Sequence, residues 1–147
     1  MQKRFLIASL LFIALCLVPA GAHLMELPAK MRMSGDDYFT VQQIYRGWAL
    51  SGIVVLGALI STAGLAWTSR GARLLPWAIV ALACVIAAQV VFWTFTFPAN
   101  QATSNWTVQP ERWESLRMRW EYSHAAGALL NLVALLSLLG ATARAID

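Results

Sequence analysis

The sequence predicts an all-α protein, a four-helix transmembrane bundle with two structured outer loops, and three observations carry that prediction. Hydrophobic residues make up 59% of the 147-residue chain and charged residues only 12%, with a mean hydropathy of +0.62, far from the balance of a soluble domain. The apolar excess is gathered into four runs, 5–22, 47–67, 74–97 and 122–143, each near the roughly 20 residues needed to cross a hydrocarbon core of about 30 Å. None of the four contains Asp, Glu, Lys or Arg, whereas every helix of a soluble bundle must turn a charged face to water. The chain reads as one integral membrane domain, 1–147, with no separate soluble domain.

The first run follows Gln2-Lys3-Arg4 and ends in Pro19-Ala20-Gly21-Ala22, which also resembles a secretory signal peptide. Its apolar stretch is longer than the roughly 7 to 15 residues of a signal core, and its removal would leave three spans, so it is expected to stay as the first helix. The loop at about 24–46 contains Ser34-Gly35-Asp36-Asp37-Tyr38, where Ser34 or Asp36 is expected to cap a short helix running through Tyr38, Gln42 and Tyr45 into the second span. Ser69-Arg70-Gly71-Ala72-Arg73 makes a tight turn to the third span. In Phe97-Pro98-Ala99-Asn100 the proline is expected to end the third helix. From Gln109-Pro110-Glu111 onward a helix is predicted, because Trp113, Leu116, Arg117 and Trp120 recur at spacings of three and four, and it runs on into the fourth span.

Charge sets the expected topology. Lys3, Arg4, Arg70, Arg73 and Arg144 fall on one side, and Lys30, Arg32, Arg46, Arg112, Arg117 and Arg119 on the other. By number the two sides are nearly even. The first set sits in short tails and one turn, while the second is balanced by Glu26, Asp36, Asp37, Glu111, Glu114 and Glu121. The basic, densely charged side is expected to be cytoplasmic, with both termini there, in an inner or plasma membrane. The formal net charge of +4 is then a product of topology and requires no nucleic-acid partner. Cys16 and Cys84 lie inside separate spans with no Cys-x-x-Cys, as packing residues rather than a thiol–disulfide centre. The absence of charge within the spans also disfavours transport of a polar solute.

His23 and Glu26 close the first run, and Glu121 and His124 open the last. Ionisable groups at span ends are expensive in a membrane, and two reciprocal spacings of three on one side point to a shared polar site. If the last helix is continuous, Arg117, Glu121, His124, Ala128 and Asn131 fall within an arc of about 80°. Gly127 and Ala128 beside them leave room for close helix packing or for a ligand, and for Asn131 alone an interhelical hydrogen bond is the plainer role. Gln42, Tyr45, Arg46, Gln89, Trp93, Thr96 and Asn100 lie at comparable depth on other helices and are expected to converge on one cavity.

Three chemistries fit. A metal ion would use His23, Glu26, Glu121 and His124, since Glu-x-x-His puts both ligands on one helical face, although the second and third spans supply no further carboxylates. A cofactor-free site, the preferred reading, would use His124 or His23 as general base and Asn100, Arg117 or Tyr45 to hold a developing oxyanion on a phenolic or quinone-like substrate. Glu26, Tyr45, Trp93, Trp120, Glu121 and Asn131 would bind that substrate. A purely structural site would pair Glu26 with Lys30 and Arg117 with Glu121. Trp67, Trp77, Trp106, Trp113 and Trp120, near predicted boundaries, are expected as an aromatic belt. Trp48 and Trp93, with Phe92, Phe95 and Phe97, are the better candidates for lining an aromatic-ligand pocket.

Four spans, the stretch YFTVQQIYRGW at 38–48, FPAN at 97–100 and WESLRMRWEYSH at 113–124 together resemble the anthrone-oxygenase-like family of small membrane proteins. The likeness covers nearly the whole chain through loose motifs. It implies a helical membrane protein and, from some fungal relatives, cofactor-independent oxygenation of polycyclic phenols. Matching the motifs carries over Asn100, Trp113, Arg117, Trp120 and His124; Ala125-Ala126-Gly127 stands where many relatives are expected to have an Arg. Two functions follow as expectations: a small oxygenase acting on a hydrophobic aromatic or quinol-type molecule that enters from the lipid, or a non-catalytic accessory or ligand-binding subunit. The expected partners are the bilayer and a hydrophobic small molecule, with a homo-oligomer or larger membrane complex left open.

Overall fold

The computed structural model describes residues 1–143; Arg144, counted above with the cytoplasmic charges, lies outside them. Among the described residues there is no strand, and the helices are α1 (Gln2–Lys30), α2 (Gly35–Gln42), α3 (Ser51–Thr68), α4 (Leu75–Val91), α5 (Phe97–Ala102) and α6 (Trp113–Ala143). Four stretches, Gln2–Lys30, Trp48–Thr68, Leu75–Ala102 and Trp113–Ala143, are long and apolar enough to cross a membrane. The architecture is the expected all-α one, and its four apolar helices are compatible with an integral membrane protein. Ile7, Val18, Ile53, Ile60 and Leu136 stand exposed on the outer faces, a surface that is costly in water and not in hydrocarbon.

α1 packs on α3 and α6, and α4 packs on α6 and α3, so the long helices close a ring. Small residues make this possible: Ala58, Ala78, Ala81 and Ala134 are fully buried in the core with Ile13, Leu65 and Leu138. Between apolar helices in lipid, association depends on close van der Waals fit, which small residues allow. α1 and α3 carry the clearest case. The rings of Phe12 and Phe5 lie over Gly57 and Gly64, where a Cβ would run into them; seven-residue spacings on two antiparallel helices put both rings into glycine notches.

Several boundaries differ from expectation. α1 continues past residue 22, through Pro19 and Pro28 to Lys30, so His23, Glu26 and Lys30 share a helical face instead of opening a loop. Internal prolines are tolerated in such helices because neighbouring groups re-satisfy the freed carbonyls. Ser34 caps α2 as expected, its hydroxyl accepting from the Asp37 N–H at 3.3 Å. α2 does not run into the next span, however: a 3₁₀ turn, Gln43–Tyr45, follows, and Gly47 at φ 87° redirects the chain before Trp48, a conformation that glycine adopts without steric penalty.

Pro98 does not end the third helix. The turn Phe92–Thr96 widens to a π-turn in which the Phe97 N–H bonds to the Phe92 carbonyl, and the helix resumes as α5 with Pro98 in its first turn, where a missing N–H is harmless. After α5, Ser104, Asn105 and Trp106 adopt φ of 47°, 55° and 64°, three successive left-handed residues that each cost about 1–3 kcal/mol. Dense hydrogen bonding holds them: Asn105 N–H to the Asn100 carbonyl at 2.7 Å, Trp106 N–H to Thr103 Oγ1 at 3.1 Å, and the Gln43 amide to the Trp106 carbonyl at 2.7 Å. Trp106 is thereby folded under α2 and forms a second core with Tyr38, Ala99 and Trp120.

Gly57→Leu and Gly64→Leu are each expected to destabilise the bundle by about 1–3 kcal/mol, the range for overpacking a tight contact. Thermal unfolding in detergent checks this against Gly21→Leu, where a Cβ meets nothing within 4 Å; an equal loss in that control would remove the packing explanation.

Candidate functional site

At the end of the bundle where α1 finishes and α6 begins, the polar residues divide into two groups with different surroundings. The first is a charge cluster, buried except at Glu26. Lys30, 1% exposed, places its ammonium 3.1 Å from Glu26 Oε2 and 3.6 Å from Glu121 Oε1, and 4.3 and 5.0 Å from the ring centroids of Tyr45 and Trp120. Glu121 is fully buried and accepts from the Tyr38 hydroxyl at 2.9 Å; the Tyr45 hydroxyl donates to Glu26. The Arg117 guanidinium donates to the carbonyls of Met33 at 2.9 Å and Lys30 at 3.3 Å and lies 4.6 Å from the Trp113 ring centroid. The last carbonyls of a helix lack intrahelical donors and carry partial negative charge, so a cation from α6 closes the end of α1.

The second group lines a cavity of about 1030 Å³ bounded by all four long helices. Its exposed lining residues include Trp48, Gly52, Leu56 and Trp93, which make an apolar mouth on the side of α3 and α4, and Arg46, Ser104, Asn105 and Thr107, which form a polar rim on the loops after α2 and α5. At its polar end the His23 ring, in a residue only 4% exposed, contacts those of Tyr45, Trp48, Trp120 and His124, the two imidazole centroids lying 4.3 Å apart. His124 Nδ1 is 2.8 Å from the Trp120 carbonyl. A carbonyl only accepts, so this hydrogen bond puts the proton on Nδ1 and leaves the lone pair on Nε2. His23 Nδ1 has no hydrogen bond; its nearest carboxylate oxygen, Glu26 Oε2, is 3.9 Å away. Asn100 Oδ1 accepts from the indoles of Trp106 at 3.0 Å and Trp120 at 2.8 Å. Indoles only donate, which fixes the amide orientation and leaves Nδ2 as the remaining donor of Asn100.

The structure brings His23, Tyr45, Trp93, Asn100, Trp120, His124 and Asn131 to the cavity lining. Glu26, Arg117 and Glu121, placed on the same stripe or site by the sequence, are not among the lining residues; they belong to the charge cluster. Arg117 is spent on the carbonyls of Lys30, at the end of α1, and of Met33 just beyond it, and Tyr45 on Glu26, so neither is placed as an oxyanion donor. Glu26 pairs with Lys30 as the structural alternative required, but Glu121 pairs with Lys30 and not with Arg117. Among the described residues no group of three or more His, Cys, Asp or Glu side chains is gathered to hold a metal ion, and of the four alternative ligands only the two histidines face the cavity.

Smaller assignments shift as well. Asn131 Nδ2 bonds within its own helix, to the Gly127 carbonyl at 2.9 Å, and not across to another. Ala128 is packed at 2% exposure, whereas Gly127 lines the cavity with open space where a Cβ would stand, so the small pair serves both expected purposes. Trp106 and Trp120, expected in an aromatic belt, are 3% and 4% exposed because Asn100 draws their N–H groups inward. Trp48, Trp93, Phe92 and Phe97 line the cavity; Phe95 does not. Sequence reasoning named Gln42 among the residues expected to converge on the cavity but gave it no part in the chemistry there. Gln42 is 3% exposed and lines the cavity, with both carboxamide atoms lacking a hydrogen bond.

Comparisons with protein-family models, with curated proteins and with solved structures found no match to this chain.

The charge cluster is open to two tests. Lys30→Met leaves Glu121 buried without its cation and is expected to cost about 3–5 kcal/mol, with most of that recovered in Lys30→Met/Glu121→Leu; chemical unfolding in detergent measures both, and a double variant no better than the single would refute the coupling. Burial first, and then the Glu121 carboxylate for Tyr38 or the hydrogen bond to Glu26 for Tyr45, push both phenols above the ordinary tyrosine range. Stability from these neutral phenols is fully present below the unfolded value of about 10 and is lost as pH rises above it, because the unfolded chain ionises first. Tyrosinate absorbance from Tyr38 and Tyr45 should therefore appear only with alkaline unfolding; Tyr38→Phe or Tyr45→Phe should leave the absorbance change of the folded protein unaltered.

Proposed function

We propose that this chain is an integral membrane protein, with both termini cytoplasmic, that takes a hydrophobic aromatic or quinol-type molecule into its cavity and removes a proton from it at His124. The observation that carries this reading is the meeting of two imidazoles at the polar end of a largely apolar cavity of about 1030 Å³, a size that matches drug-sized molecules. His124 Nε2 is the base, because Nδ1 is committed to the Trp120 carbonyl. Asn100 Nδ2 and the Gln42 amide are the donors for the resulting oxyanion, in the role first expected of Arg117 and Tyr45. The finer reading, a cofactor-independent oxygenase with dioxygen as co-reactant, rests on the resemblance to anthrone-oxygenase-like proteins.

One observation favours the second reading, a non-catalytic ligand-binding or accessory subunit: Glu26, Lys30, Arg117 and Glu121 are all occupied in fastening helix ends. Turnover separates the two. Purified protein in nanodiscs is supplied with polycyclic phenols, and oxygen consumption and product formation are followed. The catalytic reading expects His124→Ala to lower turnover by about 10²–10⁴-fold, the usual contribution of a general base, with unfolding temperature unchanged. Saturable binding of a phenol without turnover by the wild-type protein would establish the second reading instead.

A further inference from the structure

We propose that the cavity selects an uncharged head group that carries a hydrogen-bond donor and an acceptor side by side, and that Gln42 reads it. The inference rests on the cavity being a ligand site, as proposed above, and adds the class of molecule admitted. Among the described residues, charge is kept away from the deep end of the cavity although three buried ionic side chains and the partly exposed Glu26 lie next to it. Glu26, Lys30, Arg117 and Glu121 are absent from the lining, two acids and two bases that balance one another. Tyr45 and Trp120, which do line it, are the rings against which the Lys30 ammonium rests. Among the described residues, Arg46 is the one ionic side chain of the lining, and it is exposed on the loop after α2. An ionised head group at the deep end would lose its hydration with no counter-charge to replace it.

What the deep end does offer is neutral and directional. Gln42 presents a donor and an acceptor, both buried and both without a hydrogen bond, and His23 Nδ1 stands in the same condition. The Gln42 side chain lies beside the Tyr38 oxygen and bears on its acidity, but the Tyr38 hydroxyl gives its proton to Glu121, so the carboxamide oxygen gains no donor there. Buried polar atoms in a folded protein are nearly always paired, and exceptions facing a cavity mark where a ligand's polar atoms belong. Gln42 is also held in place. Its helix is tied down by Tyr38 on Glu121, and the next residue, Gln43, bonds the carbonyls of Phe39 and Trp106. A carboxamide so fixed is complementary to an amide or to a hydroxyl beside a carbonyl. The apolar body of the molecule would then lie along Val55, Leu59 and Phe92 towards the mouth.

Three probes sharing one ring system test this at neutral pH: naphthalene carboxamide, naphthol and naphthoate, followed by quenching of the cavity tryptophans in nanodiscs. Gly127→Phe, which fills the cavity from a position with free space around it, gives the reference for simple partitioning into lipid. The carboxamide is expected to bind at least about tenfold more tightly than naphthoate, equivalent to roughly 1.4 kcal/mol. Gln42→Leu should abolish the advantage of the carboxamide over naphthol while the protein stays folded, since replacing an unpaired buried amide by an apolar group is close to neutral. Naphthoate binding as tightly as the carboxamide, or a ranking unchanged in Gln42→Leu, would overturn the head-group assignment alone. Equal signals for wild type and Gly127→Phe with all three probes would overturn the cavity reading and this inference with it.

Discussion

The ammonium of Lys30, enclosed by Glu26, Glu121 and two aromatic rings, is the contact on which the arrangement of this end of the protein depends. It joins α1 to α6 at the level where both leave the apolar core. Glu121 has no solvent to fall back on, so its carboxylate must be met by a cation and by the Tyr38 hydroxyl, and that second requirement brings α2 down onto the bundle. Once α2 is seated, Gln42 and Tyr45 follow as its continuation, and Trp106 is trapped beneath it. Removing a buried charge from water is expensive, so the pairing of Lys30 with Glu121 ties α2, α1 and α6 together, and the same residues back one wall of the cavity.

The cavity itself arises from a difference in packing along the helices. Away from the polar end, glycine and alanine bring the helices into close contact, with Phe5 and Phe12 set into Gly64 and Gly57. Nearer the polar end the lining includes larger and irregular parts: Pro19 of α1, the π-turn before α5 and the left-handed turn at Ser104–Trp106. The two turns are secured by hydrogen bonds, so the widening is built into the backbone and does not depend on a missing side chain.

Much of the fold was legible in the sequence because lipid imposes one simple rule, a long run without charge, and the four runs obey it. The cap at Ser34 and the turn around Gly71 were legible for local reasons as well. The site was legible only in outline. His23 and His124 could be paired from their positions at two span ends, but nothing local distinguishes Glu121 and Arg117, which serve the fold, from His124 further along the same face. Lys30 read as a loop charge because Pro28 obscured the continuation of α1. Pro98 read as a terminator because the compensating π-turn lies in residues with no distinctive composition. Trp106 and Trp120 read as interfacial because that is where tryptophan is common, and the pull of Asn100 on both indoles exists only after the chain has folded.

The mouth between α3 and α4 gives the cavity an unusual relation to concentration. On the integral membrane reading, Leu56 and Trp93 on this part of the rim face hydrocarbon, so an apolar solute that enters here comes from the bilayer. Occupancy is then governed by a solute's mole fraction in the membrane and its competition with acyl chains. Partitioning has already enriched an apolar molecule before it arrives, and has already removed much of the water that aqueous binding would have to displace. A cavity in this position needs little intrinsic affinity to be filled, and its discrimination must come from the few polar atoms at its far end.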